Sequence, residues 1–228
     1  MKEAGLAAIS ARTTVQDNVY AQLRQALMWG SFEPGAHITI AGLSEQFGTS
    51  HMPVREALRR LAAECGLDVA RNGSVRVPPV SRAQLDDLCR ARKALEGLAT
   101  ECAAAVIPEP KIEEALAIAR EHERLGRAGE VYAMLRKNQE FHFAIYENAG
   151  SDVLPQLIEM LWLRFGPYMR MLSDLVKRQM EEGRLPDYST HHYSILDALH
   201  ARNAAGARDF MVRDIEATQA FLVAICPD

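Results

Sequence analysis

Two arginines one helical turn apart, Arg55 and Arg59, lie in the run Ser50-His51-Met52-Pro53-Val54-Arg55-Glu56-Ala57-Leu58-Arg59-Arg60-Leu61. Guanidinium forks spaced this way project from one side of a helix, and they suit phosphate oxygens and the acceptor edges of bases. Val54, Leu58 and Leu61 fall at i, i+4 and i+7 on another side, about 100° around. The spacing therefore predicts a short helix anchored by an apolar face and offering a basic one, a shape that fits the major groove of duplex DNA. A second group of chemistry-bearing residues lies far along the chain. Asn138 and His142 are also four apart and share a face, His192 stands near the start of a later helical stretch, and Asp214 lies on the last one. Amide oxygen, imidazole and carboxylate all ligate metals, but spacing alone does not join three separate stretches. A lone helical histidine is more often a packing or surface residue.

The basic helix needs a scaffold. Thr14 to Trp29 keeps helical spacing at Val15, Val19, Leu23, Ala26 and Leu27, and Gly30 with Phe32-Glu33-Pro34-Gly35 forms a turn. Thr39 is placed to cap a second helix, Ile40 to Phe47, with Leu43 and Phe47 inward. Gly48 turns the chain into the arginine helix, where Ser50 or Thr49 can cap and Pro53 is tolerated in the first turn. Two β-like runs follow, Leu67–Ala70 and Ser74–Val77, separated by the hairpin signal Asn72-Gly73 and flanked by Arg71 and Arg76. Together these predict a helix-turn-helix with a β-hairpin wing whose tip can reach a minor groove or phosphates.

Pro78-Pro79 breaks the chain, and everything beyond reads as helix: roughly 81–106, 110–127, 129–149, 152–182 with a break near Gly166-Pro167, 187–202 and 204–225. The expected fold class is mainly α, with a winged helix-turn-helix over residues 1–78 and an all-helical antiparallel bundle over 79–228. Residues 1–13 read as a loose tail. Trp162, Phe165, Tyr168 and Met169 are expected inside the bundle.

Charge divides at the same point. The net charge is −4, which argues against a protein that coats nucleic acid generally. Residues 1–78 nevertheless hold eight Lys/Arg against seven Asp/Glu, while residues 79–228 hold 18 against 23. A slightly basic module is joined to an acidic one. Cys65, Cys89, Cys102 and Cys226 have no metal-finger spacing, so reduced thiols in the cytoplasm are expected. No apolar run approaches the ~20 residues of a membrane helix.

These segments resemble the GntR family of bacterial transcription regulators, in its FadR-type branch. The resemblance is carried by Leu23-Arg24-Gln25-Ala26-Leu27 through Gly30, Pro34-Gly35, Leu43-Ser44-Glu45-Gln46-Phe47-Gly48 and Pro53-Val54-Arg55-Glu56-Ala57-Leu58-Arg59-Arg60-Leu61. The wing of the family is similar to Gly66-Leu67 followed by Asn72-Gly73-Ser74-Val75. The helical part resembles the effector domain of that branch through Arg92-Lys93-Ala94-Leu95-Glu96, Asn138 to Phe141-His142, and His192 to Ile195. The likeness spans about residues 14–222. At His51 the family often has arginine, which alters the contact available there.

The resemblance implies a homodimer bound to a pseudo-palindromic operator in double-stranded DNA, with Ser50, His51, Arg55, Arg59 and Arg71 at the DNA. It also implies a divalent metal held by Asn138, His142, His192 and Asp214. The family's usual residue at the last position is histidine. Two imidazoles, one carboxylate and one amide oxygen keep the same formal charge as three histidines and an aspartate. The set favours zinc first, with nickel, manganese or iron also suited. Four protein ligands in an octahedral sphere leave two positions for the oxygens of a small carboxylate effector, which Arg92 is placed to grip bidentately. The function implied is transcription regulation, as a repressor relieved by an organic acid, and not enzymatic. Two other readings remain open: a metal-dependent enzyme using two histidines and a carboxylate, and a purely structural metal. His191 competes with His192 for the inward position, Asp214 could instead pair with Arg208 or Arg213, and His37, His122 and His200 are read as structural.

Overall fold

The computed structural model describes residues 14–71, 73–183 and 189–227. The predicted tail, the turn residue Asn72 and the first residues of the helix predicted over 187–202 lie outside the described residues.

Helix α1 (Val15–Met28) begins at a reciprocal cap. The Thr14 hydroxyl accepts from the Asp17 N–H at 3.1 Å, and the Asp17 carboxylate accepts from the Thr14 N–H at 3.1 Å. Helix α2 (Ile40–Phe47) is capped by Thr39 and ends at Gly48 with φ 60°, a left-handed position that glycine takes without strain. Helix α3 (His51–Ala63) starts at Ser50, whose side chain makes no capping bond. Val54, Ala57, Leu58 and Leu61 are buried against α1, where Val19, Leu23 and Leu27 face them.

The wing holds one strand more than expected. β1 (His37–Ile38), β2 (Asp68–Val69) and β3 (Val75–Arg76) form an antiparallel sheet in the order β1-β3-β2. His37 pairs with Arg76, and Asp68 pairs with Arg76 from the other side. A two-residue strand leaves no alternating pattern to read, which is why β1 escaped the sequence.

Six helices follow among the described residues: α4 (Arg82–Val106), α5 (Glu109–Arg127), α6 (Val131–Tyr146), α7 (Leu154–Glu181), α8 (Thr190–His200) and α9 (Ala204–Val223). α4 packs most extensively on α9, α5 on α6, and α8 on α9. The break expected at Gly166-Pro167 is absent, and α7 runs through Pro167. Ile158, Trp162, Leu163, Phe165, Tyr168, Met169, Leu172 and Val176 are buried along it. That apolar seam offsets the roughly 3 kcal/mol that an interior proline costs.

The same stretch of α7 joins the two halves. A Cβ on Gly166 would lie 2.9 Å from the Leu27 carbonyl carbon and closer still to its oxygen, so α1 and α7 meet backbone to backbone. Gly30, at φ 68°, meets the α7 backbone at Met169 and Arg170 in the same way. Tyr168 donates its hydroxyl to the Ser81 carbonyl at 2.9 Å, pinning the start of α4 to α7. Gly166→Ala is therefore expected to lower stability by about 1–3 kcal/mol, as overpacking does. Urea unfolding of the variant against the wild-type protein checks this.

Candidate metal centre and nucleic-acid interface

Along α3 the apolar stripe turns inward, leaving His51, Arg55 and Arg59 exposed. Ser50 and Arg71 are exposed too, the latter at the wing. Among the described residues Arg59 pairs only with its neighbour Glu56, at 3.2 Å, and 74% of its side chain is exposed. Arg60 and Arg76 are used internally. The Arg60 guanidinium lies 3.6 Å over the Tyr20 ring and pairs with Glu64, while Arg76 pairs across the wing with Asp68. Surface arginines without internal duties are the ones free to meet phosphates.

The second group converges in the helical half. His142 from α6, His192 from α8 and Asp214 from α9 offer ligand atoms that all lie within 4.8 Å of one another. Asp214 presents one oxygen to His142 Nε2 at 3.3 Å and the other to His192 Nε2 at 3.8 Å. It does not pair with Arg208 or Arg213; Arg208 pairs with Glu101, and Arg213 lies over Phe210. Of the adjacent histidines, His192 is fully buried and His191 is not. Asn138 is half-buried one turn before His142.

A buried chain of hydrogen bonds orients His142. Arg92 donates to Glu96 through both arms of its fork, at 2.6 and 3.1 Å. Glu96 accepts the Tyr146 hydroxyl at 2.6 Å, and that hydroxyl also lies 3.1 Å from His142 Nδ1. Tyr146 has one proton to give. A short bond to a charged carboxylate outweighs the 3.3 Å contact to the Met211 sulfur. The tyrosine oxygen then accepts from His142, which places the proton on Nδ1 and turns Nε2 toward Asp214. A bare Nε2 and a carboxylate 3.3 Å apart are two acceptors facing each other. The pair requires a cation between them, either a proton or a metal.

His192 adds an independent sign. Both of its ring nitrogens are buried, with no hydrogen-bond partner among the described residues. Burial pushes its pKa down to about 3 against the pull of Asp214. Burial also opposes the charge of Asp214, yet when the cation beside it is a proton on His142 Nε2, that hydrogen bond and the His142 charge hold its carboxyl down to about 2. A neutral imidazole and an ionised carboxylate are the forms that ligate a divalent ion. The residues fit the metal.

Sequence reasoning missed two members of this region. Glu96 and Tyr146 lie four residues after Arg92 and His142, so helical spacing pointed to them. Their meeting across α4 and α6 had no local signal. His122 is also buried here, its ring centred 4.9 Å from that of His192. His200, likewise read as structural, meets Glu109 and Glu113 on the exposed ends of α5 and α8. Arg92, expected to grip an effector, already has its fork filled by Glu96 and lies over the Trp162 and Phe165 rings.

A winged reading head joined to a helical domain with a buried polar cluster defines a DNA-binding transcription regulator. Residues 15–77 match the bacterial regulatory proteins of the gntR family, and residues 87–217 match the FCD domain. The chain belongs to the GntR family. It is 30% identical over 200 residues to the HTH-type transcriptional regulator McbR of Escherichia coli, covering 88% of this chain and 89% of that protein. The Uxu operon regulator of Haemophilus influenzae is 30% identical over 208 residues, covering 85% of this chain and 76% of its own length. The structure of E. coli McbR/YncC superposes with a TM-score of 0.85 at 28% identity, covering 92% and 98% of the two chains. These relationships make the chain a regulator rather than an enzyme and set the metal-dependent enzyme reading aside. No helix among the described residues is long and apolar enough to cross a membrane.

The buried histidines give the metal-free protein a definite pH response. His192 and His122, the latter pushed down to about 4 by burial, have folded pKa values below the ordinary 6.5. Their contribution is complete above pH 6.5 and is lost as pH falls toward the folded values, because the unfolded chain takes up the protons first. The melting temperature of chelator-treated protein is therefore expected to drop between pH 7 and pH 5. A flat profile over that range would contradict the buried neutral state.

Proposed function

We propose that the chain is a cytoplasmic, homodimeric repressor that releases its operator when a small organic acid binds the helical domain. In this reading residues 1–78 bind DNA, and residues 79–228 bind the effector and dimerise. Two copies of α3 meet a pseudo-palindromic site about one helical turn, ~34 Å, apart. Arg55 and Arg59 reach base edges and phosphates, with Ser50, His51 and Arg71 on the backbone. His51 gives a weaker contact than an arginine would.

The observation that carries the sensing half is the orphaned, buried His192 beside a carboxylate that already faces His142. His142, His192 and Asp214, with the Asn138 amide, would hold a divalent ion, zinc first and nickel, manganese or iron as alternatives. Such an ion would supply positive charge and open positions for carboxylate oxygens. Arg92 can reach an effector only by sharing or surrendering Glu96, so its role here is to hold Glu96 in place until an incoming carboxylate competes for the guanidinium.

The route to DNA runs along α6. Gln139, beside Asn138, accepts a hydrogen bond at 3.0 Å from Gln25 of α1, the helix on which α3 packs. An effector that moves α6 changes the seat of the reading head by its differential affinity for the two poses and no more.

Operator binding by Arg55→Ala is expected to fall by at least tenfold, with a shallower salt dependence, in fluorescence anisotropy of an operator duplex. In the wild-type protein one carboxylate from a metabolite screen should weaken binding. Chelation that unfolds the bundle, with no carboxylate acting on DNA affinity, would favour a purely structural metal. Separately, His142→Ala and His192→Ala are each expected to lose bound zinc by elemental analysis; full occupancy in either would sink the ligand assignment.

A further inference from the structure

His122 lies on α5, a helix that contributes nothing to the ligand set above. It is 2% exposed, and its ring is centred 4.9 Å from the His192 ring with their planes 60° apart. His192 is thereby held between two rings, since it also stacks on Phe141 at 4.2 Å. The His142 ring stands edge-on to His192 at 5.4 Å. His122 feels the charges of both Asp214 and His142. The only hydrogen-bonding contact of His122 seen among the described residues is a long one, 3.5 Å from Nδ1 to the Ser189 hydroxyl. An imidazole is costly to bury without strong partners, and apolar side chains would fill this place better unless the ring has a polar task.

We propose that His122 is a third imidazole ligand of the centre, so that the ion is held from four helices: His122 of α5, His142 of α6, His192 of α8 and Asp214 of α9. The proposal rests on the metal reading above. In the metal-free geometry the ligand atoms of His142, His192 and Asp214 already cluster, whereas those of His122 do not join them within 4.8 Å. Binding must therefore turn the His122 ring away from Ser189 and toward the cluster. The consequence is a site that closes around its ion. Its donor set is also softer than two imidazoles and a carboxylate, which tilts selection toward zinc or nickel and away from manganese.

The test uses the full chain loaded with cobalt(II) or zinc(II). X-ray absorption of the zinc-loaded wild-type protein should count three imidazoles, and His122→Gln should count two. Cobalt affinity should drop at least tenfold in His122→Gln, with the visible spectrum changed. Titrations are run in a His200→Ala background, because the ligand atoms of Glu109, Glu113 and His200 also lie within 4.8 Å of one another on the surface. If His122→Gln proves too unstable, nitrogen-15 NMR of the wild-type imidazoles answers the same question. His122 should move to a metal-bound shift along with His142 and His192. Unchanged affinity, spectrum and imidazole count in His122→Gln, with metal still lost in His142→Ala, would overturn the role of His122 alone. Retention of metal by both His142→Ala and His192→Ala would instead overturn the whole centre.

Discussion

The single proton of the Tyr146 hydroxyl decides the chemistry of the helical half. Because both arms of the Arg92 fork donate to Glu96, the Tyr146 proton points to Glu96 at 2.6 Å, and His142 donates from Nδ1. The imidazole tautomer, the direction of Nε2 and the electrostatic demand on Asp214 all follow. None of these groups touches solvent freely: Arg92 is 4% exposed, Glu96 and Tyr146 are fully buried, and His142 is 1% exposed. In such surroundings a mispaired donor or acceptor costs about 1–3 kcal/mol, more when charged, so the chain of bonds holds the ring in one orientation. The Arg92–Glu96 pair is thus better understood as an orienting device than as a source of stability, since buried ion pairs repay little beyond their desolvation.

That arrangement needs helices held at fixed separation, and the packing provides it. α4 supplies Arg92 and Glu96, α6 supplies His142 and Tyr146, and α9 supplies Asp214 and Met211. α4 packs against both of the others. Trp162 of α7 closes the region, lying near both Arg92 and His142. α7 is also the helix on which the reading head sits, through the Gly166 and Gly30 approaches. One helix therefore walls the polar cluster on one turn and seats α1 on the next.

Most of the fold was legible because its signals are local. Thr14, Thr39, Gly48 and the apolar periodicities of α1, α2 and α3 mark their own boundaries, and the bundle helices fall within a few residues of their predicted ends. The failures were tertiary. Pro167 signals a break that the buried seam of α7 overrides, and β1 exists only because β3 pairs with it. In the candidate site, spacing within a helix exposed Asn138 with His142, but Glu96 meets Tyr146 fifty positions away. His122 has no partner near it in sequence, and its neighbour His192 lies on α8.

The strength of the link between sensor and reader can be bounded from the contacts that cross it. The Gln25–Gln139 hydrogen bond is neutral and contributes about 0.5–1.5 kcal/mol. The Arg24–Glu159 and Arg170–Glu33 pairs each leave the carboxylate half-exposed or more, so each contributes about 0–1 kcal/mol. Neither class of contact alone could lock the head. Together they are comparable to the 1–3 kcal/mol typical of coupling between sites. The glycine approaches differ in kind, because backbone contact has no rotamer to yield and moves as a unit with α7. A shift of α6 can therefore exchange the Gln25–Gln139 bond while α1 stays seated on α7. The reading head would then pivot about the Gly30–Gly166 seam rather than detach from it.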